Sequence, residues 1–243
     1  AGGRADYIHL DVMDGQFVPN KTFDHIKIKE LRPLTLIPFD AHLMINEPVK
    51  HVHDYIDAGS DIITVHAEVC DESSFGEICD MLNSNQVGIG LAINPDTELP
   101  QWCYKFVELL DQVIIMSVVP GKSGQKFIES THEKTRRIAK DLREHKFEGY
   151  IEADGGVNLE NIGACFEDGA RAFVGGSAII GQNDVRMIIK EFRNQVLESR
   201  RRLLIKKAHN LGGTELVNSW IDLHVIGEKK DKLVQIAKEL GFQ

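Results

Sequence analysis

The sequence predicts an α/β fold whose parallel strands curl into a barrel, and three observations point there. Short β-rich runs alternate with longer amphipathic stretches. The chemically unusual side chains gather at the C-terminal ends of those runs. Glycine clusters follow the last two runs. A chain of 243 residues with 42% hydrophobic content can bury one large core, a length typical of a single α/β barrel.

The runs, in order, are "YIHLDV", "IPFDAHLMI", "DIITVHAE", "VGIGLAI", "QVIIMSVV", "GYIEADGGV" and "RAFVGGSAI". Between them, amphipathic spacing predicts helices over Val49–Ala58, Ser74–Asn83, Thr131–Glu144, Asn158–Asp168 and Asp184–Glu198. Strand-then-helix alternation implies right-handed βαβ crossovers and a parallel sheet. Gly59, Gly149 and Gly169 each stand between a helix and the next strand, where a left-handed C-cap glycine belongs. Periodicity alone allows either an open doubly wound sheet or a barrel. Placement favours the barrel: His9, Asp11 and Met13; Asp40, His42 and Met44; His66 and Glu68; Asn94; Met116 and Ser117; Asp154; and Ser177 all fall at strand ends. A barrel brings those ends together over one mouth, whereas an open sheet gathers only those beside its switch point.

His9, Asp11, His42 and Asp154 supply two imidazoles and two carboxylates from three strands, a donor set suited to a divalent transition metal such as Zn²⁺, Fe²⁺, Mn²⁺ or Co²⁺. On pattern alone, Met13, Met44 and Met116 read as core filler. "ADGGV" and "VGGSAI" each end a strand and open a helix, where backbone N–H groups can cradle an anion. "PGKSGQ" contains Gly-Lys-Ser but has Met116 where a P-loop needs its first glycine, so it reads as a lid with Lys122 free to approach a phosphate.

Composition excludes other classes. A net charge of −9 argues against a nucleic-acid surface as the main partner. No apolar run approaches the roughly 20 residues needed to span a bilayer, and no signal-peptide pattern opens the chain. The four cysteines (Cys70, Cys79, Cys103, Cys165) are scattered without a CxxC pair, as expected of thiols in a reducing cytoplasm.

Taken together, "HLDVMDGQFVPN", "FDAHLMI", "DIITVHAE", "MSVVPGKSGQKF" and "IEADGGVN" resemble the ribulose-5-phosphate 3-epimerase family of TIM (β/α)8-type, ribulose-phosphate-binding barrels, from about Asp6 to Glu198. The resemblance implies an isomerase that uses one divalent metal ion to interconvert D-ribulose 5-phosphate and D-xylulose 5-phosphate. It implies His9, Asp11, His42 and Asp154 as metal ligands and Asp11 and Asp154 as the two acid/base groups. Met13, Met44 and Met116 match a thioether cluster around the reacting carbons, against the filler reading, and His42 also touches substrate. Gly124, Gly155, Gly156, Gly176 and Ser177 fall where the family holds the substrate phosphate.

Two departures accompany the resemblance. Family members carry about one more βα unit ahead of this start. The chain opens Ala1-Gly2-Gly3 without a methionine, so seven of eight strands are expected and a truncated sequence is the preferred explanation. The family's P-G-F-G-G-Q lid becomes Pro120-Gly121-Lys122-Ser123-Gly124-Gln125. The family pattern ends near residue 198. Residues 199–243 are expected to form two or three short amphipathic helices that serve homo-oligomerisation or partner docking, with Arg200–Arg202, Lys206 and Lys207 on a solvated face. Alternatives are an epimerase for a related ketose phosphate such as allulose 6-phosphate, or a catalytically impaired phosphate-binding protein.

Overall fold

Residues at period two along a strand face opposite sides of a sheet, and here the two sides differ in chemistry. The structure, a computed structural model, describes residues 4–210. It contains seven parallel strands in the order β1 to β7: β1 Ile8–Met13, β2 Phe39–Met44, β3 Ile62–His66, β4 Gly88–Ile93, β5 Gln112–Met116, β6 Tyr150–Asp154 and β7 Ala172–Val174. Leu10, Val12, Leu43, Ile63, Val65, Leu91, Val113 and Ile115 join the core packed beneath the helices. The other face carries Asp40, His42, Thr64, His66, Gln112, Glu152 and Asp154, all buried. Polar side chains that look misplaced on a linear strand therefore line the concave interior of the curled sheet.

The interior is tight where the strands are closest. A Cβ on Gly90 would stand 1.9 Å from Thr64 Oγ1, so glycine is required between the Thr64 and Gln112 side chains. Gly90→Ala is expected to lower stability by about 1–3 kcal/mol, read as a lower urea midpoint at unchanged slope.

The helices are α1 His25–Leu31, α2 Val52–Asp57, α3 Glu72–Ser84, α4 Thr131–Glu144, α5 Ile162–Asp168, α6 Ser177–Ile180 and α7 Val185–Asn210. Helix α4 has the expected bounds. Helix α3 starts before the expected Ser74 because Asp71 caps it: its carboxylate accepts from the Ser74 N–H while Ser74 Oγ accepts from the Asp71 N–H. Helix α1 has no counterpart among the sequence expectations. It buries only Ile28 and so lacks an apolar stripe, and its start is set by the Asp24 cap.

Gly59 and Gly169 adopt the left-handed conformation expected of them, but Gly149 does not. The left-handed residue ending α4 is Lys146, at φ 62°. Gly149 is glycine for room: a Cβ there would meet the Asp111 carbonyl oxygen at 2.3 Å.

Helix α7 runs through position 198 without a break. Ser199 is fully buried, and a Cβ on Gly163 of α5 would lie 2.5 Å from its Oγ. The expected short helices, and the self-association assigned to them, fall mostly on positions 211–243, outside the described residues.

Candidate metal centre and active-site cleft

Strand register builds the centre. β1 and β2 pair with His9 beside Asp40, Asp11 beside His42 and Met13 beside Met44, while Met116 on β5 pairs with Asp154 on β6. Four donor atoms converge. Asp11 Oδ1 lies 3.4 Å from His9 Nε2 and 3.3 Å from His42 Nδ1, and Asp154 Oδ2 lies 3.6 and 3.4 Å from the same two nitrogens. Each carboxylate oxygen thus lies within 3.6 Å of both imidazole nitrogens. His9 Nε2, Asp11 Oδ1 and His42 Nδ1 are buried with no hydrogen-bond partner.

That is the donor set a cation would satisfy. Ligands on a tetrahedral ion at about 2.0–2.1 Å stand roughly 3.3–3.4 Å apart, close to the separations here. The residues present fit a divalent transition metal. The structure thus brings together His9, Asp11, His42 and Asp154.

Residues that sequence reasoning left without a role complete the surroundings. Asp40 Oδ2 accepts from His9 Nδ1 at 2.8 Å, and its Oδ1 accepts from Gln112 Nε2 at 2.8 Å. This fixes the His9 proton on Nδ1 and turns Nε2 toward the cluster. Glu152 lies 3.4 Å from His9 Nδ1, where burial and then the Asp40 charge push its carboxyl toward the neutral acid. Same-face spacing, Asp40 with His42 and Glu152 with Asp154, was the available signal.

In the metal-free protein, burial disfavours a charged His42, but the adjacent Asp11 and Asp154 carboxylates outweigh it and raise its pKa to about 9. His9 is raised too: burial opposes it, and Asp40, Asp11 and Asp154 overcome that. Asp11 and Asp154 are held below the usual carboxylate range, because the two imidazoles outweigh the burial that favours the acid form. Metal ligation requires neutral imidazoles, so binding displaces protons. Cation uptake near neutral pH should therefore release protons, and affinity should rise with pH before levelling above about 9. A pH-stat titration with Zn²⁺ measures both. The same shift favours the metal-free fold fully below about pH 6.5, a benefit lost as pH rises through about 9.

Above the centre lies a cleft of about 480 Å³ lined by Asp11, Asp154 and all three expected methionines. Met13, Met44 and Met116 are buried; Met13 and Met44 pack together with Val18, and Met116 packs with Ala92, Ile114 and Val118. The same cleft is lined by the expected phosphate-side residues Gly124, Gly155, Gly156, Gly176 and Ser177. Gly155 (φ 111°) and Gly156 (φ 66°) make the turn that ends β6. The Ser117 hydroxyl braces this turn by donating toward the carbonyls of Asp154 and Gly155. Ser177 is the first residue of α6 rather than a strand residue.

The "DGQFVPN" segment closes over one side. Asp14 accepts from the N–H groups of Gln16, Phe17 and Asn46, which seats Phe17 with its ring centroid 4.6 Å from that of His66. Asn20 donates to the Gly121 carbonyl, and Val18 packs where a Gly121 side chain would be. This loop thereby holds the base of the Pro120–Gln125 segment. Among the described residues lining the cleft, Lys122 is the one cationic side chain.

No helix among the described residues is long and apolar enough to cross a membrane, and the four cysteines are free thiols.

Comparison with known proteins agrees with this architecture. Residues 2–180 match the ribulose-phosphate 3 epimerase family. The chain is 41% identical over 192 residues to ribulose-phosphate 3-epimerase of Bacillus subtilis, covering 79% of this chain and 87% of that protein. It is 38% identical over 193 residues to the Escherichia coli K12 protein of that name, covering 79% and 84%. A solved structure of 3-hexulose-6-phosphate synthase superposes with a TM-score of 0.57 at 18% identity over 78% of this chain and 86% of that one, a likeness of fold. By its matched length, its motif-bearing strand ends and its relatives, the chain belongs to the ribulose-phosphate 3-epimerase family.

Proposed function

We propose that this protein is a metal-dependent epimerase that interconverts D-ribulose 5-phosphate and D-xylulose 5-phosphate by moving a proton at C3. The observation that carries the reading is the convergence of His9, Asp11, His42 and Asp154 beside a cleft whose lining includes Asp11, Asp154 and a set of glycines.

The C3 hydrogen of a 2-ketose lies next to a carbonyl and is only weakly acidic. A divalent ion held by His9, Asp11, His42 and Asp154 would supply positive charge beside the substrate oxygens, stabilising the negative charge that builds there by several kcal/mol. Asp11 and Asp154 do the proton work. One carboxylate removes the C3 proton, leaving a planar enediolate. The other, holding a proton, returns it to the opposite face. The C3–H bond on one side breaks, a C3–H bond on the other forms, and the two groups exchange acid and base roles. Both carboxylates line the cleft, which supports giving them this work. Single-site inversion by one base would require it to reach both faces.

The remaining residues bind and shield. Met13, Met44 and Met116 give the planar intermediate polarizable walls that have no proton to donate. Gly155, Gly156, Gly176 and Ser177 hold the phosphate by backbone N–H groups and a hydroxyl, with Gly124 and Lys122 reaching it from the lid. The compartment that fits four free thiols is a reducing one.

Incubation of the Zn²⁺- or Co²⁺-loaded protein with D-ribulose 5-phosphate tests the reading. Xylulose 5-phosphate should form, chelation should stop it, and the ion should restore it. If the loaded protein converts allulose 6-phosphate and leaves ribulose 5-phosphate unchanged, the pentose assignment is wrong.

A further inference from the structure

The two imidazoles of the centre are held in different ways. His9 is backed directly by Asp40. His42, with no solvent exposure, has its Nε2 placed 2.8 Å from Nε2 of a second imidazole, His66. Two ring nitrogens at that distance must be one donor and one acceptor. His42 Nδ1 faces the donor set. A neutral His42 that ligates through Nδ1 carries its proton on Nε2, so it donates to His66 Nε2. His66 then carries its own proton on Nδ1, which lies 3.1 Å from Glu68 Oε2. Glu68 lies just beyond strand β3, in a 3-10 turn over Ala67–Val69.

The rest of the Glu68 environment accommodates only a carboxylate acceptor. The Asn94 N–H donates to Oε1 at 2.7 Å. Burial favours the acid form of Glu68, but hydrogen bonds from His66 and Asn94, with the Thr97 hydroxyl nearby, outweigh it and lower its pKa to about 2. The loop that supplies Asn94 and Thr97 is itself tied down. Lys134 of α4 is buried, and its ammonium donates to the carbonyls of Asn94, Pro95 and Thr97, all within 3.1 Å.

We propose that His66 and Glu68 form a one-way hydrogen-bond relay that fixes the tautomer and orientation of His42 for metal binding, with Lys134 holding the loop that completes the Glu68 shell. All three are positioning residues, since none touches the cleft. The inference rests on the metal-centre reading above.

The direct test is a long-range ¹H–¹⁵N correlation spectrum of the histidines in the full Zn²⁺-loaded protein. His42 should be protonated on Nε2 and His66 on Nδ1. In parallel, chelator competition on Glu68→Gln should show Zn²⁺ held about 10- to 100-fold more weakly, with inorganic phosphate binding as in the parent protein. A glutamine amide can accept from His66 or from Asn94 but presents N–H groups to the other. Lys134→Met, which keeps the buried stem, should weaken Zn²⁺ in the same direction. A His66 protonated on Nε2, or a Glu68→Gln protein with parental Zn²⁺ affinity, would overturn the relay. A parent protein with both tautomers as stated but no turnover would instead overturn the epimerase reading and leave the relay standing.

Discussion

Asp154→Asn should reduce turnover of D-ribulose 5-phosphate by a factor of at least about 10³–10⁴, because one change removes an acid/base group and a cation donor together. An asparagine cannot take or return a proton, and its amide nitrogen can turn a donor toward His9 or His42. Asp154 is also the deeper of the two carboxylates, its side chain 9% exposed against 46% for Asp11, so water is less able to substitute for it. Asp11→Asn should fail comparably. In both variants inorganic phosphate should still bind, since neither side chain is among those assigned to the phosphate. Steady-state rates with phosphate inhibition separate the two effects. Near-parental turnover by either variant would remove it from the chemistry.

Gly156→Ala should be strongly damaging among changes to the residues assigned to the phosphate. Its φ of 66° is costly for any side chain, and a Cβ would stand 2.5 Å from the backbone nitrogen of Phe127. Backbone cannot swing aside as a side-chain tip can. The combined strain should cost on the order of 3 kcal/mol of stability and open the turn that closes β6. Gly124→Ala is the control: its φ is 73° but nothing lies within 4 Å of the added methyl. It should lose only about 1 kcal/mol. Urea unfolding of the pair distinguishes a steric requirement at Gly156 from a general intolerance of side chains in the cleft.

The contrast between Gly149 and Lys146 shows where sequence stops being informative about the fold. A glycine before a strand implies a left-handed cap, and Gly59 and Gly169 are such caps. At Gly149 the constraint is the Asp111 carbonyl, 38 positions earlier in the chain, and nothing local signals it. The strands and most helices were legible because burial on one face imposes a period that survives in one dimension. Helix α1, with a single buried residue, imposes none.

The site divides in a similar way. His9 with Asp11 could be singled out because polar residues two apart on an otherwise apolar strand share a face. Asp40, Gln112, His66 and Glu68 were visible as polar residues too, but their roles lie in pairings across strands. His9 meets Asp40 at a separation of 31 residues, and His42 meets His66 at 24. A buried polar residue that orients a neighbour and one that is merely satisfied look identical until the partner is known.

The two-base centre is tested most directly by a short incubation of metal-loaded protein with D-ribulose 5-phosphate in D₂O, followed by proton NMR of the product and the recovered substrate. If Asp11 and Asp154 work from opposite faces, the first xylulose 5-phosphate formed carries solvent deuterium at C3, and chelation of the metal abolishes its formation. Product that keeps the original C3 hydrogen, or that forms equally well in chelator, would contradict the centre described above.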